Sequence, residues 1–158
     1  MLRLDTDLGR ELTPAEIAAL PQPEPMPLAD RKAALRSRAA SIRWAKECTG
    51  FLWVREGTSE SYFIATDEAS QSKMGNERKA AEDGIRREGD VWKCGDPVTG
   101  LPATPALSDA EIIAMSNAAR NRTSDLFNHE AELLAAIDAA GDHAALDLIN
   151  LEQGWPNA

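Results

Sequence analysis

Histidine and cysteine, which carry much of enzyme and metal chemistry, are scarce in this chain, with two of each in 158 residues. His129-Glu130 begins like the zinc motif His-Glu-x-x-His, but position 133 is leucine and His143 lies beyond a helix break. Cys48 and Cys94 are far apart and belong to no Cys-x-x-Cys pair, which predicts reduced, partly buried thiols. A disulfide stays open if the protein meets an oxidising medium. We therefore expect no metal and no cofactor.

Aromatic residues are also few, at 5% of the chain against 43% hydrophobic residues. This composition predicts a core of alanine, leucine and isoleucine, packed helix on helix, with four tryptophans as large anchors. No apolar run approaches the about 20 residues of a membrane helix. Asp5 stands where a signal peptide would be apolar. We expect a protein that is cytoplasmic at synthesis and has no membrane partner.

Basic residues are fewer than acidic residues, and the formal net charge is −9. A nucleic-acid surface requires clustered lysine and arginine, so the balance argues against a nucleic-acid partner. Basic residues do cluster between Arg31 and Lys46, at helical spacing opposite an apolar stripe. This spacing favours a solvated helix face over an RNA or DNA site.

Other catalytic patterns are missing or incomplete. Asp5-Thr6-Asp7-Leu8-Gly9 resembles the start of a calcium loop but lacks the later ligands. Paired carboxylates such as Glu130 and Glu132 lie on a predicted helix surface, where nothing apolar would raise a pKa. No serine has a nucleophile elbow, and the glycines form no phosphate-binding loop. We expect no catalytic residues and no enzyme activity.

Residues 1–27 are predicted to form an arm. Thr13-Pro14-Ala15-Glu16 is a capping box, followed by two turns of helix that carry Ile17 and Leu20. Such a short helix is not stable by itself. Alternating prolines then favour an extended, semi-rigid tether, at Pro21, Pro23, Pro25 and Pro27. Ile17, Leu20, Pro21, Pro23 and Pro25 are the candidate partner-binding residues, with folding back onto the same chain as the alternative.

Residues 28–158 are predicted to form one α+β domain that is predominantly helical. Leu28, Leu35, Ala39 and Ile42 share one face of a first helix over 28–50. Two short aromatic and β-branched runs predict a hairpin over 51–66. A polar helix over 67–84 and a second small hairpin over 91–104 follow.

The last third predicts a long αα-hairpin over 108–153. Ser108 and Glu111 form a capping box, and the helical pattern continues to Ala139. Gly141 breaks the pattern, and Ala144 to Gln153 is predicted as a second helix. Trp155, between Gly154 and Pro156, is expected to pack the C-terminus against the long helix.

Apolar residues recur along the long helix with a seven-residue step, at Ile112, Ala119, Leu126 and Leu133, and Ile137 widens the seam. The complementary positions are polar, so the helix either packs within the domain at one end or joins symmetry mates around a partly polar axis. A helix of some thirty residues is unusually long for a compact domain. We therefore favour self-association along this seam, as a homo-oligomer with a trimer preferred.

Several motifs, taken in order, resemble a bacteriophage domain of unknown function that is common in tail-fibre and tail-assembly proteins. They are Arg31-Lys32-Ala33, the step from Thr66 to Gln71, Trp92 ahead of a short hairpin, the Leu133–Ala140 run, and the final Gly154-Trp155-Pro156. The resemblance covers roughly residues 28–156. The chain departs from the family pattern at residues 72–77, which are more polar.

The resemblance implies a non-catalytic phage tail protein. It would be a structural or connector subunit at the tail tip, baseplate or fibre attachment, with other tail proteins as partners. It would reside in the virion tail and, during assembly, in the host cytoplasm. The alternative is a tail-fibre assembly chaperone that is absent from the finished particle.

Overall fold

The computed structural model describes residues 13–15, 26–87 and 89–156. The predicted α+β class is confirmed: helices dominate and one small antiparallel sheet accompanies them. In chain order the elements are α1 (Leu28–Cys48), β1 (Phe51–Val54), β2 (Ser61–Ile64), α2 (Glu68–Glu82), β3 (Cys94–Gly95), β4 (Pro102–Ala103), α3 (Asp109–Ala139) and α4 (His143–Asp147). The arm residues Ile17, Leu20, Pro21, Pro23 and Pro25 lie outside the described residues.

The four strands form one sheet in the order β1-β2-β3-β4. Sequence reasoning expected two separate hairpins, but Phe63 of β2 pairs with Gly95 of β3 and joins them. Burial alternates along β1, since Phe51 and Trp53 are buried while Leu52 and Val54 are exposed. This alternation gives the sheet one face against the core and one face open to solvent.

Helix α3 begins as predicted, because the Ser108 side chain accepts a hydrogen bond from the Glu111 N–H and the Glu111 side chain accepts from the Ser108 N–H. Helix α4 begins at His143 and is capped by Asp142, whose side chain accepts from the Ala145 N–H. The predicted end of the second helix at Gln153 is wrong, since α4 ends at Asp147 and irregular turns follow. The αα-hairpin therefore consists of one long and one short helix.

The core has two clusters, and α3 contributes to both. The first lies between the inner sheet face, α2 and the first half of α3, and includes Trp53, Ile112 and Met115. The second lies between α1, the last half of α3 and the C-terminal turns, and includes Leu126 and Trp155. A helix of 31 residues is about 46 Å long. The helix is this long because its two halves pack into different core clusters of the same chain.

Candidate docking site

The predicted self-association seam lies inside the chain, which corrects its assignment as an interface. Ile112, Leu126 and Ile137 are fully buried, and Leu133 is buried. Ala119 is partly buried against the first cluster. The seven-residue step arises because one stripe of α3 faces both clusters, and its four large side chains are already buried within the chain.

The residues of the C-terminal motif have packing roles. Trp155 is buried in the second cluster, and its indole N–H donates to the Leu151 carbonyl at 2.7 Å. The His129 ring meets Trp155 edge-on, with 4.6 Å between ring centroids. Gly154 has φ +84° and lies against that imidazole, while Pro156 is half-buried. The expectation that Trp155 holds the C-terminus against the long helix is confirmed.

A buried ionic layer lies where the end of α1 meets the middle of α3. Arg43 pairs with Glu47 on its own helix, and its Nε lies 2.8 Å from Glu130 Oε2 on α3, although not aligned for a hydrogen bond. Arg122 donates to the Lys46 carbonyl at 2.8 Å, and its buried Nε has no acceptor among the described residues. Burial lowers the pKa of Arg122, partly offset by Glu47. Sequence reasoning missed this layer. The available signal was the spacing, because Arg122 lies seven residues after the buried Met115 and therefore on about the same face of α3.

The basic residues of α1 lie largely on an exposed face, as predicted, and several of them pair with the C-terminal part of the chain. Ion pairs join Arg31 to Asp147, Arg36 to Asp138 and Arg38 to Glu152. Lys32 donates to the Asp138 carbonyl at 2.9 Å. These cations bind carboxylates or a backbone carbonyl of the same chain.

The groups with reactive potential are dispersed. His143 Nδ1 lies 3.2 Å from Arg31 Nη1, far along the fold from the His129–Trp155 contact. Burial raises the pKa of the Cys94 thiol, which keeps it protonated and a poor nucleophile. In the described part of the chain, no three His, Cys, Asp or Glu side chains are grouped to hold a metal ion. Among the same residues, no helix has the length and apolar content that crossing a bilayer would need.

Two concave regions flank α3. One, of about 420 Å³, lies between α2 and α3 and is bordered by Gln71, Met74, Arg120 and Phe127. The other, of about 620 Å³, lies at the start of α3 beside Arg55 and Arg86. Both of these arginines are already engaged, Arg55 by Glu60 and Glu111, and Arg86 by Glu77 and Asp109. Arg87 also borders the second region, but the other two arginines are neutralised and the carboxylates of Asp109 and Glu111 lie there too, which makes it a poor anion site.

The exposed face of the sheet presents three large apolar side chains, Leu52, Val54 and Phe63, which we call the outer sheet face. Their exposed fractions are 46%, 58% and 39%. Leu52 and Phe63 are directly opposite each other on β1 and β2. Apolar side chains grouped on one side of a sheet differ from scattered surface apolar residues and indicate a binding site.

A pocket of about 440 Å³ adjoins this face, and Phe63 belongs to both. We call it the lysine pocket, because Lys73 of α2 and Lys93 line it together with Trp92, Cys94 and Ser70. The backbone N–H of Trp92 donates to the Pro105 carbonyl at 3.0 Å, which fixes that residue beside β3. Trp92, which the sequence marked only as a motif residue, thus packs on the core and also lines a pocket.

Residues 30–150 match a domain family whose description is "Domain of unknown function (DUF4376)". No curated protein matches the chain, and neither does any solved structure.

Proposed function

We propose that this chain, which belongs to the DUF4376 domain family, is a non-catalytic binding subunit of a bacteriophage tail. It acts as a structural or connector protein at the tail tip, baseplate or fibre attachment. The observation that carries the binding role is the outer sheet face, where Leu52, Val54 and Phe63 remain exposed together. The phage setting is supported by the ordered motifs between Arg31 and Pro156.

The outer sheet face suits docking because the opposite face of the sheet is firmly held. Phe51 and Trp53 anchor β1 in the first cluster, and Trp53 stacks on Tyr62 of β2 with 6.4 Å between ring centroids. A partner therefore meets a surface that loses little conformational freedom on binding. Covering apolar side chains also supplies the favourable free energy of association.

Self-association, which the sequence placed on the α3 seam, has to use another surface if it occurs. The arm remains part of the proposal: Ile17 and Leu20 would engage a neighbour and the prolines would set the reach of the tether. Deleting residues 1–27 should leave residues 28–156 folded, because both core clusters lie within that range. The truncated protein should fail to enter particles.

The outer sheet face is tested by charging it. Val54→Lys places a charge on this face, at the end of β1, and Val98→Lys makes the same change at an exposed turn residue outside it. Mass spectrometry of purified particles should find the wild-type chain and Val98→Lys at a fixed ratio to the major tail protein, and Val54→Lys strongly depleted. Circular dichroism checks that both variants fold.

Equal incorporation of the two variants would reject the outer sheet face as the docking site. Absence of the wild-type chain from finished particles, with fibres misfolding when it is removed, would instead indicate an assembly chaperone.

A further inference from the structure

We propose that the outer sheet face and the lysine pocket together hold an acidic, apolar segment of a partner protein. Carboxylates of the segment would lie at Lys73 and Lys93, and its apolar side chains would cover Phe63, Leu52 and Val54. The inference rests on the proposed docking function and specifies the chemistry of the partner.

The charge on the two lysines carries the argument. The chain has a formal net charge of −9, and most described cations bind acidic groups or carbonyls of the same chain, as Arg31, Arg43 and Arg86 do. Among the residues that the structure describes, the ammonium groups of Lys73 and Lys93 take part in no hydrogen bond or ion pair, although carboxylates are abundant. The other described cations in that state are those of Lys46, Arg87 and Arg120. Two unpaired cations that line one pocket present a local positive site on an acidic protein.

The pocket also supplies a fixed apolar wall. The Phe63 ring lies over the glycine that precedes β1, since a Cβ on Gly50 would be 2.7 Å from Phe63 Cζ. A Cβ on Gly95 would likewise be 3.4 Å from Phe63 Cβ. The Cys94 thiol donates to the Ala103 carbonyl at 3.5 Å and is buried, so it adds no negative charge to the pocket. Aromatic and aliphatic side chains of the partner segment can therefore pack between Phe63 and Trp92, beside the two lysine ammonium groups.

The extent of the surface favours a protein segment over a small molecule. A small ligand would occupy the pocket of about 440 Å³ and leave Leu52 and Val54 uncovered on the adjoining strand. A second copy of the chain, docked face to face, would bring two pairs of lysines together, which disfavours that arrangement. A nucleic acid would have to approach a protein of net charge −9.

The test uses the full chain and two synthetic probes, acetyl-Glu-Asp-Leu-Phe-Glu-Asp-amide and the same peptide with lysine at the four acidic positions. Binding is followed by the NMR shift of the Trp92 indole N–H, assigned with Trp92→Phe. The acidic peptide should bind and the basic peptide should not. Lys73→Glu combined with Lys93→Glu should weaken binding about tenfold, because two attractions become repulsions. Arg120→Glu reverses an unpaired charge beside the α2–α3 region and should change the affinity less than about twofold.

The proposal is overturned if the acidic peptide does not bind up to about 5 mM, if the two peptides bind equally, or if Arg120→Glu weakens binding as much as the lysine variant. Particle incorporation separates this inference from the proposed function. If the wild-type chain and the double lysine variant are incorporated equally, the tail role stands and the inference fails. If the wild-type chain is absent from particles, the tail role fails, and the peptide titration still decides the chemistry of the pocket.

Discussion

Gly154 and His129 fit against each other so closely that a side chain at position 154 has no room. A Cβ there would lie 2.6 Å from Cε1 of His129. The imidazole cannot move away freely, because it packs edge-on against Trp155 and its Nε2 lies 3.0 Å from the Gln153 carbonyl. This contact joins the C-terminal turn to the middle of α3.

Gly154→Ala should therefore destabilise the fold by about 2–4 kcal/mol, as the sum of a left-handed backbone and a steric clash. Gly84→Ala is the matched control, since Gly84 has φ +67° and no atom of the described residues lies within 4 Å of the added Cβ. It should lose only about 1 kcal/mol. Urea unfolding measures both. Combining Gly154→Ala with His129→Ala should recover the clash component, and equal losses for Gly154→Ala and Gly84→Ala would contradict the close fit.

Glu111 predicts a stability change at acidic pH. Its carboxylate accepts from Arg55 Nε at 2.5 Å and from the Ser108 N–H at 2.7 Å. These hydrogen bonds, the one from Arg55 first, lower the pKa of Glu111 from 4.5 to about 2. Because the folded pKa is the lower one, ionised Glu111 stabilises the fold above about pH 4.5, and this contribution is lost as the pH falls towards 2.

Glu111→Gln should thus cost roughly 1–2 kcal/mol near neutral pH, and the difference from wild type should shrink between pH 4.5 and pH 2. Chemical denaturation at several pH values measures it. In an Arg55→Met background most of this pH dependence should vanish. A difference that stays constant with pH would show that the carboxylate gains nothing from its partners.

The two arginines of the buried ionic layer should differ strongly in the stability lost on replacement by methionine. Arg43→Met leaves Glu47 and Glu130 buried without their cation and should cost about 3–5 kcal/mol. Arg122→Met removes a desolvated charge, and the Lys46 carbonyl keeps the Thr49 hydroxyl as a donor at 2.8 Å. That variant should stay within about 1 kcal/mol of wild type. Similar large losses for both would mean that Arg122 is as essential as Arg43.

Leu126→Ala distinguishes a core role from an interface role for the α3 seam. Leu126 is fully buried in the second cluster, so the variant should lose about 2–5 kcal/mol of stability. Its neighbour Phe127 is 49% exposed, and Phe127→Ala should lose less than about 1 kcal/mol. Analytical ultracentrifugation should find the same oligomeric state for wild type and both variants. Dissociation of an oligomer by Leu126→Ala without loss of stability would restore the interface.

The sequence predicts correctly the helix starts that depend on residues close together in the chain. The capping box at Ser108 and Glu111 placed the start of α3, and Asp142 placed the start of α4. The predicted second helix is too long because the residues after Asp147 have a helix-like composition but form turns. Composition alone does not distinguish a short helix from a helix followed by packed turns.

The sequence by itself determined the α+β class, the helix starts and the absence of a recognisable catalytic motif, because caps, glycines and hydrophobic spacing act between residues that are near in the chain. Only the tertiary structure decided which surfaces remain free. The seven-residue stripe of α3 became core because α1 and the sheet cover it, Arg122 became buried, and Phe63 stayed exposed beside Lys73 and Lys93. Burial depends on which distant segments pack together, and periodicity alone cannot tell an internal seam from an interface.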